Sequence, residues 1–429
     1  MAEVTLKNFR KPLRGPFNSE HILRNSYGFN QLTPEQIIFF NSVRDFSKTR
    51  LLPRIVDLHT GKAKFKGQIG HRPSEILGPN DIIDLTDYHK VGVDEKYGGD
   101  GGDIIYQCIM HYWLAYGSPS AAAVDHGISL GLGFKYAATE DQKTRIIPDI
   151  MNGKSTICFG LTGTECGSDP FAQNTLKFTY DKESNLYVLN GKKTFITGAP
   201  NSDIMLAFAK GEDGRTTAFL VNRKKDGIPG FTTGPVMDKT GWRGSDTSEV
   251  FCDDVPVKPE NLVGEVGNAG QLVNLILSFG RLKMAWDAYA IIAAILDLTS
   301  DNVRQRRAAG GGKQVELQIL HNEIGVLLPK IRAVRDNLFT TTFLANSRDA
   351  EGMIPFDFAD AATSAKIFAT NTLQEVGDKL EHWFGGMRHM NDYIMAVYNA
   401  DRRLYTTVEG DNGILEISMG RQFVMEPKK

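Results

Sequence analysis

The hydrophobic and polar positions of the chain change period twice, which predicts three regions of different structure. From residue 33 to about residue 153 the apolar residues recur at helical spacing. Thr33-Pro34-Glu35-Gln36 is typical of a helix start, because Thr33 can cap the helix, Pro34 fits its first position and Gln36 can close a capping box. Residues 1–32 show no clear period and are interpreted as an extended arm.

Short β-rich runs replace the helical period between residues 154 and 264. They occupy residues 156–159, 176–179, 187–189, 194–196, 204–207, 218–221 and 249–251. Asn190-Gly191 stands between two of these runs and predicts a hairpin turn. Many short strands within a hundred or so residues are typical of a β-sandwich or a small barrel.

The helical period returns at about residue 265 in long pieces with short connections. These pieces span about residues 272–306, 317–338 and 358–383. Long helices joined in this way predict a bundle. The expected fold class is therefore α+β, with an arm at 1–32, a helical domain at 33–153, a β-sandwich or barrel at 154–264 and a four-helix bundle at 265–429.

Composition narrows the classes of function. The 429 residues are 41% hydrophobic with a formal net charge of -2, which gives no electrostatic case for a nucleic-acid or membrane-surface partner. No run of about eighteen apolar residues predicts a membrane span, and no apolar segment near the N-terminus resembles a secretory signal. The cysteines form no CxxC pair, which favours a reducing compartment, either the cytoplasm or the mitochondrial matrix.

Common catalytic motifs do not account for the chemistry. The nine histidines contain no HxxxH or HExxH pair, so no metal site is predicted. Neither the nucleophile elbow of a serine hydrolase nor a GxxxxGK[ST] loop is expected. Glu409 lies in a short Gly-rich break between two helical patterns, where its carboxylate can point into a cleft.

A series of short motifs runs in order through the β region and the bundle. They are Phe159-Gly160-Leu161-Thr162 with Gly167-Ser168-Asp169, Lys193-Thr194-Phe195-Ile196-Thr197, Gly241-Trp242-Arg243-Gly244-Ser245, Phe251-Cys252-Asp253-Asp254-Val255-Pro256-Val257, Arg307 with Gln318, Gly385-Gly386, and Glu409-Gly410. Their order and spacing resemble those of the acyl-CoA dehydrogenase family of FAD flavoproteins over about residues 33–425. Each motif is weak alone, but six in register, with the Gly241 and Phe251 segments counted as one passage, are hard to attribute to chance.

The resemblance implies an FAD-dependent α,β-dehydrogenation of an acyl-CoA thioester. Glu409 would be the base that takes the α-proton as the β-hydride passes to flavin N5. Some relatives carry the glutamate on a bundle helix directly before an arginine, but the matching position here is Gly280, before Arg281. Glu409 is therefore the one candidate base. The implied substrate contacts are Ser168, Gly280, Arg281 and Gly410.

The resemblance also implies an FAD site and an oligomer. Phe195 would pack on the isoalloxazine ring, and Thr162 and Thr197 would bind its polar edge. Arg307 and Gln318 would hold the FAD of a neighbouring subunit in a homotetramer or homodimer, with an electron-transfer flavoprotein as electron acceptor. The implied cofactor residues are Phe159, Thr162, Ser168, Phe195, Ile196, Thr197, Arg307, Gln318, His382, Gly385, Gly386, Asp411 and Gly413.

Departures from the family pattern leave alternatives open. His382 replaces the usual Gln before the double glycine, and Asp411 and Gly413 stand where Thr and Gln usually meet the cofactor. Gly310 replaces the Phe of the arginine loop. The alternatives are an acyl-CoA oxidase, a dehydrogenase of acyl-carrier-protein thioesters, and a flavin-free scaffold that has kept the fold.

Overall fold

The computed structural model describes residues 18–68, 78–165, 167, 169–171, 174–223, 229–347, 353–355 and 357–425. Its helices are Ser19–Arg24 (α1), Pro34–Phe46 (α2), Ile55–Thr60 (α3), Ile104–Gly117 (α4), Pro119–Gly131 (α5), Glu140–Met151 (α6), Ala269–Gln305 (α7), Gln318–Asn346 (α8), Phe358–Leu380 (α9), Ile394–Arg402 (α10) and Asn412–Val424 (α11). Its strands are Lys64–Phe65 (β1), Ile82–Ile83 (β2), Ile157–Gly160 (β3), Leu176–Asp181 (β4), Leu186–Thr197 (β5), Ile204–Lys210 (β6), Thr216–Asn222 (β7), Phe231–Thr233 (β8), Thr247–Val257 (β9) and Leu262–Val263 (β10). This order of helices, strands and helices confirms the expected α+β fold class.

The middle region forms one sheet. Its strands follow the order β10–β7–β6–β4–β5–β9–β8, and β3 pairs in parallel with β6. One face packs on its own core around Leu176 and Phe219, and the other packs on Phe134 and Ile276 from the helical regions. Because both faces are covered, β6 and β7 are almost continuous runs of buried residues.

The predicted hairpin at Asn190-Gly191 is wrong, because both residues lie inside β5. The register between β5 and β9 shifts between Leu189 and Gly191. Gly191 has φ 127°, and a Cβ placed there would lie 2.1 Å from the carbonyl oxygen of Thr175. Asn190 donates a hydrogen bond of 2.8 Å to Asp254 instead of turning the chain. The glycine is therefore needed for a close backbone approach at a bulge.

The helix start predicted at Thr33 is confirmed. The Gln36 amide N–H donates to Thr33 Oγ1 at 3.2 Å, and the Thr33 N–H donates to Gln36 Oε1 at 3.0 Å. These two reciprocal bonds form the capping box that the sequence predicts. The sequence predicts this helix start correctly because both partners lie within one helical turn.

The extended arm is wrong for its described part. Residues 18–32 contain α1, whose Ser19 hydroxyl donates to Asp297 of α7 at 2.6 Å. Ile22 and Leu23 are buried, so this helix is stabilised by packing that its short apolar pattern did not reveal. Residues 1–17 of the predicted arm lie outside the described residues.

The C-terminal region forms the predicted bundle around α7. Helix α7 packs against α4, α5, α8 and α9, and α5 also packs against β3 and β5. Gly131 allows α5 to approach β3 closely, because a Cβ at this position would lie 2.9 Å from Ile157. Helix α5 therefore joins the sheet to the bundle. Within the described ranges, no helix combines the length and the apolar composition needed to cross a bilayer.

Candidate active site

Glu409 lies in the turn before α11, and its side chain is buried with 6% exposed. Its φ of 58° is in the left-handed region, which non-glycine residues rarely adopt, and Gly410 follows with φ 99°. Lys366 of α9 holds this turn, donating to Gly410 O and Asn412 Oδ1, each at 2.7 Å. The anchoring compensates for the strained backbone, as is common where a chain positions a functional group.

The two oxygens of the Glu409 carboxylate have different surroundings. Oε1 lies 2.9 Å from His126 Nε2. Oε2 is buried and has no hydrogen-bond partner among the described residues. A Cβ at Gly280 would lie 2.7 Å from Oε2, so the glycine leaves room beside this oxygen. Arg281 Nε donates to the Glu409 carbonyl at 3.1 Å. Gly280, Arg281 and Gly410 thus lie around Glu409, and their contact with a substrate stays a prediction.

His126 contacts Glu409, and nothing in the sequence indicated this contact. It lies on α5, 283 positions before its partner Glu409, and its side chain is 7% exposed. Because an ionised carboxylate only accepts hydrogen bonds, Nε2 is the donor in this pair. The ring nitrogen Nδ1 has no partner among the described residues. A single histidine in an apolar helix gives no local signal that could have identified this contact.

A buried network of histidines and carboxylates lies next to His126. Asp125 accepts from His89 Nδ1 at 2.7 Å and from His111 Nε2 at 3.0 Å, and His111 Nδ1 lies 3.0 Å from Asp287. Burial alone would lower the pKa of His111, but Asp287 and Asp125 raise it overall. His111 is therefore an imidazolium between two carboxylates. Among the described residues, no His, Cys, Asp or Glu cluster is arranged to hold a metal ion.

Ser129, three residues beyond His126 on α5, lies in a segment that matches the spacing of a hydrolase motif, although no nucleophile elbow is expected from the sequence. It lies in Gly127-Ile128-Ser129-Leu130-Gly131, which has the Gly-x-Ser-x-Gly spacing of a hydrolase elbow. Here the five residues are part of a helix rather than of a strand-to-helix turn, and the Ser129 hydroxyl accepts from Lys283. The described residues therefore provide no activated serine at this position.

The residues expected to face the flavin ring lie together on the sheet. The aromatic ring of Phe195 is accessible, because the residue is 67% exposed. Its φ of 56° lies in the left-handed region, which strains the backbone of a non-glycine residue. The Thr194 N–H donates to the Thr162 carbonyl at 3.1 Å, which places Thr162 beside this strand. Ile196 is buried in the sheet core and Phe159 is half-buried. The roles of these residues toward a cofactor stay predictions.

Helix α5 connects this strand to the base. Thr197 is half-buried, and a Cβ at Gly127 would lie 2.9 Å from its Cγ2. Gly127 directly follows His126 in the sequence. The strand that carries Phe195 and the carboxylate of Glu409 therefore lie on two sides of the same helical turn. Ser168, predicted on the flavin loop, lies outside the described residues.

The residues implied at the other end of FAD lie in three places: on the connection between α7 and α8, at the first residue of α8, and on the connection after α9. Arg307, Gln318, His382, Gly385 and Gly386 are all exposed there. Arg306 brings the connections together, since it donates to the Trp383 carbonyl at 3.2 Å. No atom lies within 4 Å of a Cβ placed on Gly386, so space for a ligand is open. His382 lies 3.7 Å from Glu323.

Asp411 and Gly413 serve a structural purpose within the chain. Asp411 is the N-cap of α11, and its Oδ1 accepts from the Gly413 N–H at 3.0 Å. Both are exposed. A contact of either residue with a cofactor stays a prediction.

Comparisons with known proteins agree with this geometry. Family models match in order: the acyl-CoA dehydrogenase N-terminal domain at residues 33–154, the middle domain at 158–255 and the C-terminal domain at 270–424. A short-chain specific acyl-CoA dehydrogenase of Megasphaera elsdenii is 29% identical over 89% of this chain and 96% of its own length. A probable acyl-CoA dehydrogenase of Bacillus subtilis is 24% identical over 94% of this chain and 68% of its own length.

The solved structures support the same relationship. Butyryl-CoA dehydrogenase from Megasphaera elsdenii superposes with a TM-score of 0.79 at 27% identity, covering 92% of this chain and 99% of that one. The match spans the helical, β and bundle regions together. Because the three domain models of this family match the chain in order from residue 33 to residue 424, the chain belongs to the acyl-CoA dehydrogenase family of oxidoreductases.

Proposed function

We propose that this protein oxidises an acyl-CoA thioester to its α,β-unsaturated product, with Glu409 as the base. The observation that carries the proposal is the Glu409 carboxylate. It is buried, its Oε2 has no partner among the described residues, and Gly280 leaves space beside that oxygen. Oε2 can take the α-proton while His126 holds Oε1. Burial also keeps water away from the carbon that loses the proton.

The described residues fit the isoalloxazine end of FAD. The exposed face of Phe195 can pack on a planar apolar ring. Thr197 carries a hydroxyl two residues further along the same strand, and Thr162 carries one beside that strand. Bound FAD would supply the acceptor for the β-hydride. Arg307 is exposed and directly follows Arg306, whose guanidinium reaches the connection at Gly385. An exposed arginine there suits a pyrophosphate held between subunits of a homodimer or homotetramer.

Residues around Glu409 also suit the thioester. Charge develops on the thioester oxygen as the α-proton leaves, and hydrogen-bond donors aimed at that oxygen lower the barrier. The Glu409 backbone N–H has no hydrogen-bond partner among the described residues, so it is available for this oxygen. Arg281 holds the peptide that follows, because it donates to the Glu409 carbonyl and to Thr363 Oγ1, each at 3.1 Å. Electrons would then leave to an electron-transfer flavoprotein.

The test is anaerobic flavin bleaching by a panel of straight, branched and aromatic acyl-CoAs. We expect one class to bleach the wild type, and Glu409→Gln to slow bleaching by about 10²–10⁴-fold, the usual contribution of a general base. Glu416→Gln is the matched control, because Glu416 is an exposed carboxylate of α11. Bleaching that persists in Glu409→Gln would refute the assigned base.

The same panel distinguishes the alternatives. Reduced enzyme that air reoxidises as fast as it turns over would indicate an oxidase. Bleaching by acyl-carrier-protein thioesters alone would replace the CoA substrate. Protein that takes up no FAD would refute the dehydrogenation and leave the scaffold interpretation.

A further inference from the structure

A cavity between α5 and α7 has an apolar wall and two cationic side chains, Lys283 and Lys135, in its lining. The wall includes Ile128, Leu130, Ile276 and Phe279. Leu130 also borders the space at the base, since a Cβ at Gly280 would lie 3.2 Å from its Cδ2. We name this space the α5–α7 cavity. Its position continues the path that an acyl chain would take from Glu409.

Lys283 lies at the polar part of the α5–α7 cavity. It is 3% exposed and follows Gly280 by three residues, so both lie on one face of α7, about 5 Å apart. Its ammonium donates to the Ser129 hydroxyl. An ammonium has three donors, and Ser129 is the one hydrogen-bond partner of Lys283 among the described residues. Two donors therefore remain for a ligand.

Lys135 lines the same cavity, and its ammonium group, like that of Lys283, is only partly hydrogen-bonded. Its ammonium donates to the Gly92 carbonyl at 3.0 Å, its one hydrogen-bond partner in the described part of the chain. Burial, together with the nearby charge of Lys283, lowers the pKa of Lys135 to about 8. The two ammonium groups are thus close enough to repel each other. No ion pair formed by the described residues involves either lysine.

Nearby acidic groups do not neutralise this pair of lysines. Both oxygens of Asp125 are bonded to histidines, and Asp287 accepts from His111. With His111 as an imidazolium, this network carries one negative charge against the two ammonium groups. Glu409 is likewise opposed by Arg281, whose guanidinium bonds its carbonyl. With both lysines protonated, these groups leave one positive charge uncompensated. Burial lowers the pKa of Lys283 and of Lys135, and a bound anion would favour their charged forms.

We propose that the α5–α7 cavity selects acyl chains that end in a carboxylate, with Lys283, Ser129 and Lys135 binding that group. The inference rests on the proposed oxidation of acyl-CoA, since it places the reacting carbons at Glu409. Three residues, a rise of about 4.5 Å along α7, separate Gly280 from Lys283. That distance suits a carboxylate only a few methylenes beyond the β-carbon. The substrate class is therefore a short ω-carboxyacyl-CoA.

The experiment measures binding and turnover separately. FAD-loaded Glu409→Gln protein, which binds without turnover, is titrated calorimetrically with adipyl-CoA, hexanoyl-CoA and ω-hydroxyhexanoyl-CoA. We expect adipyl-CoA to bind at least about tenfold more tightly than hexanoyl-CoA, the usual effect of a hydrogen bond to a charged group. The ω-hydroxy ligand should fall between them. Equal affinities for all three would overturn the inference.

Variants then assign the preference to the lysines. Lys283→Met in the same background should remove the preference for adipyl-CoA, Lys135→Met should reduce it, and the exposed Lys177→Met should retain it. A preference that survives both cavity variants would overturn the assignment. Thermal unfolding identifies a misfolded variant, and Ser129→Ala then replaces Lys283→Met as the test of the same end of the cavity.

Wild-type bleaching separates failure of this inference from failure of the proposed function. Bleaching by hexanoyl-CoA as fast as by adipyl-CoA would overturn the carboxylate preference and leave the oxidation standing. Tight binding of adipyl-CoA with no bleaching by any thioester would support the binding site while refuting the oxidation.

Discussion

Gly280→Ala is expected to lower activity without lowering stability. An alanine in the middle of a helix is favoured over glycine by about 1 kcal/mol. Its Cβ would lie 2.7 Å from Glu409 Oε2, 3.1 Å from Glu409 Cδ and 3.2 Å from Leu130 Cδ2. The carboxylate must therefore move, and because His126 holds Oε1 at 2.9 Å, that movement strains the hydrogen bond. The cost of moving a side-chain end offsets the helical gain, so the net change in unfolding free energy stays within about 1 kcal/mol.

Displacement of the base should have a larger effect on the reaction. A shift of about 1 Å in a reacting group can cost about 10²-fold in rate. We therefore expect the rate of anaerobic flavin reduction by acyl-CoA to fall by about 10- to 100-fold, equivalent to about 1.4–2.7 kcal/mol of barrier. Stopped-flow absorbance measures this rate, and denaturant unfolding of the same preparation measures stability.

Gly270→Ala is the matched control, because Gly270 lies on the same helix and a Cβ there meets no atom within 4 Å. It should gain stability and keep the wild-type rate. A wild-type rate in Gly280→Ala would show that the space beside Oε2 does not matter for proton removal. Loss of several kcal/mol of stability would show that Gly280 is required for packing instead.

Two further predictions concern buried polar groups. His126→Ala leaves both Glu409 oxygens without a buried partner, so the unfolding free energy should fall by about 1–3 kcal/mol. Flavin reduction should also slow. His126→Gln should recover part of the stability and part of the reduction rate. An unchanged reduction rate in His126→Ala would contradict a positioning role. Burial raises the pKa of Asp401 from 3.8 to about 7, so the folded state binds this proton more tightly than the unfolded chain. The cost of ionising buried Asp401 lowers the stability of the folded state above pH 7, and this cost disappears as the pH falls toward 3.8. Asp401→Asn should therefore be more stable than wild type by up to about 4 kcal/mol at pH 8. Near pH 4 the two proteins should be equally stable. Unfolding curves across this range test it, and a difference independent of pH would refute it.

Local features of this protein were readable from its sequence. The capping box joins Thr33 to Gln36 within one helical turn, so residue type and spacing were enough to predict it. The change of period predicted the α+β order, because a helix or strand buries one face at a fixed spacing. The motif series predicted the family for a different reason, namely that its spacing matches a known set of proteins.

Features that depend on contacts between distant segments were decided only by the tertiary structure. Asn190-Gly191 has the composition of a turn, yet backbone from Thr175 packs so closely that the glycine is used inside a strand. His126 meets Glu409 across 283 positions because α5 packs between the sheet and α7. Lys283 faces a cavity rather than solvent for the same reason. Hydrogen bonding and burial of a side chain depend on what packs against it, and periodicity identifies the buried face of an element but not its partner.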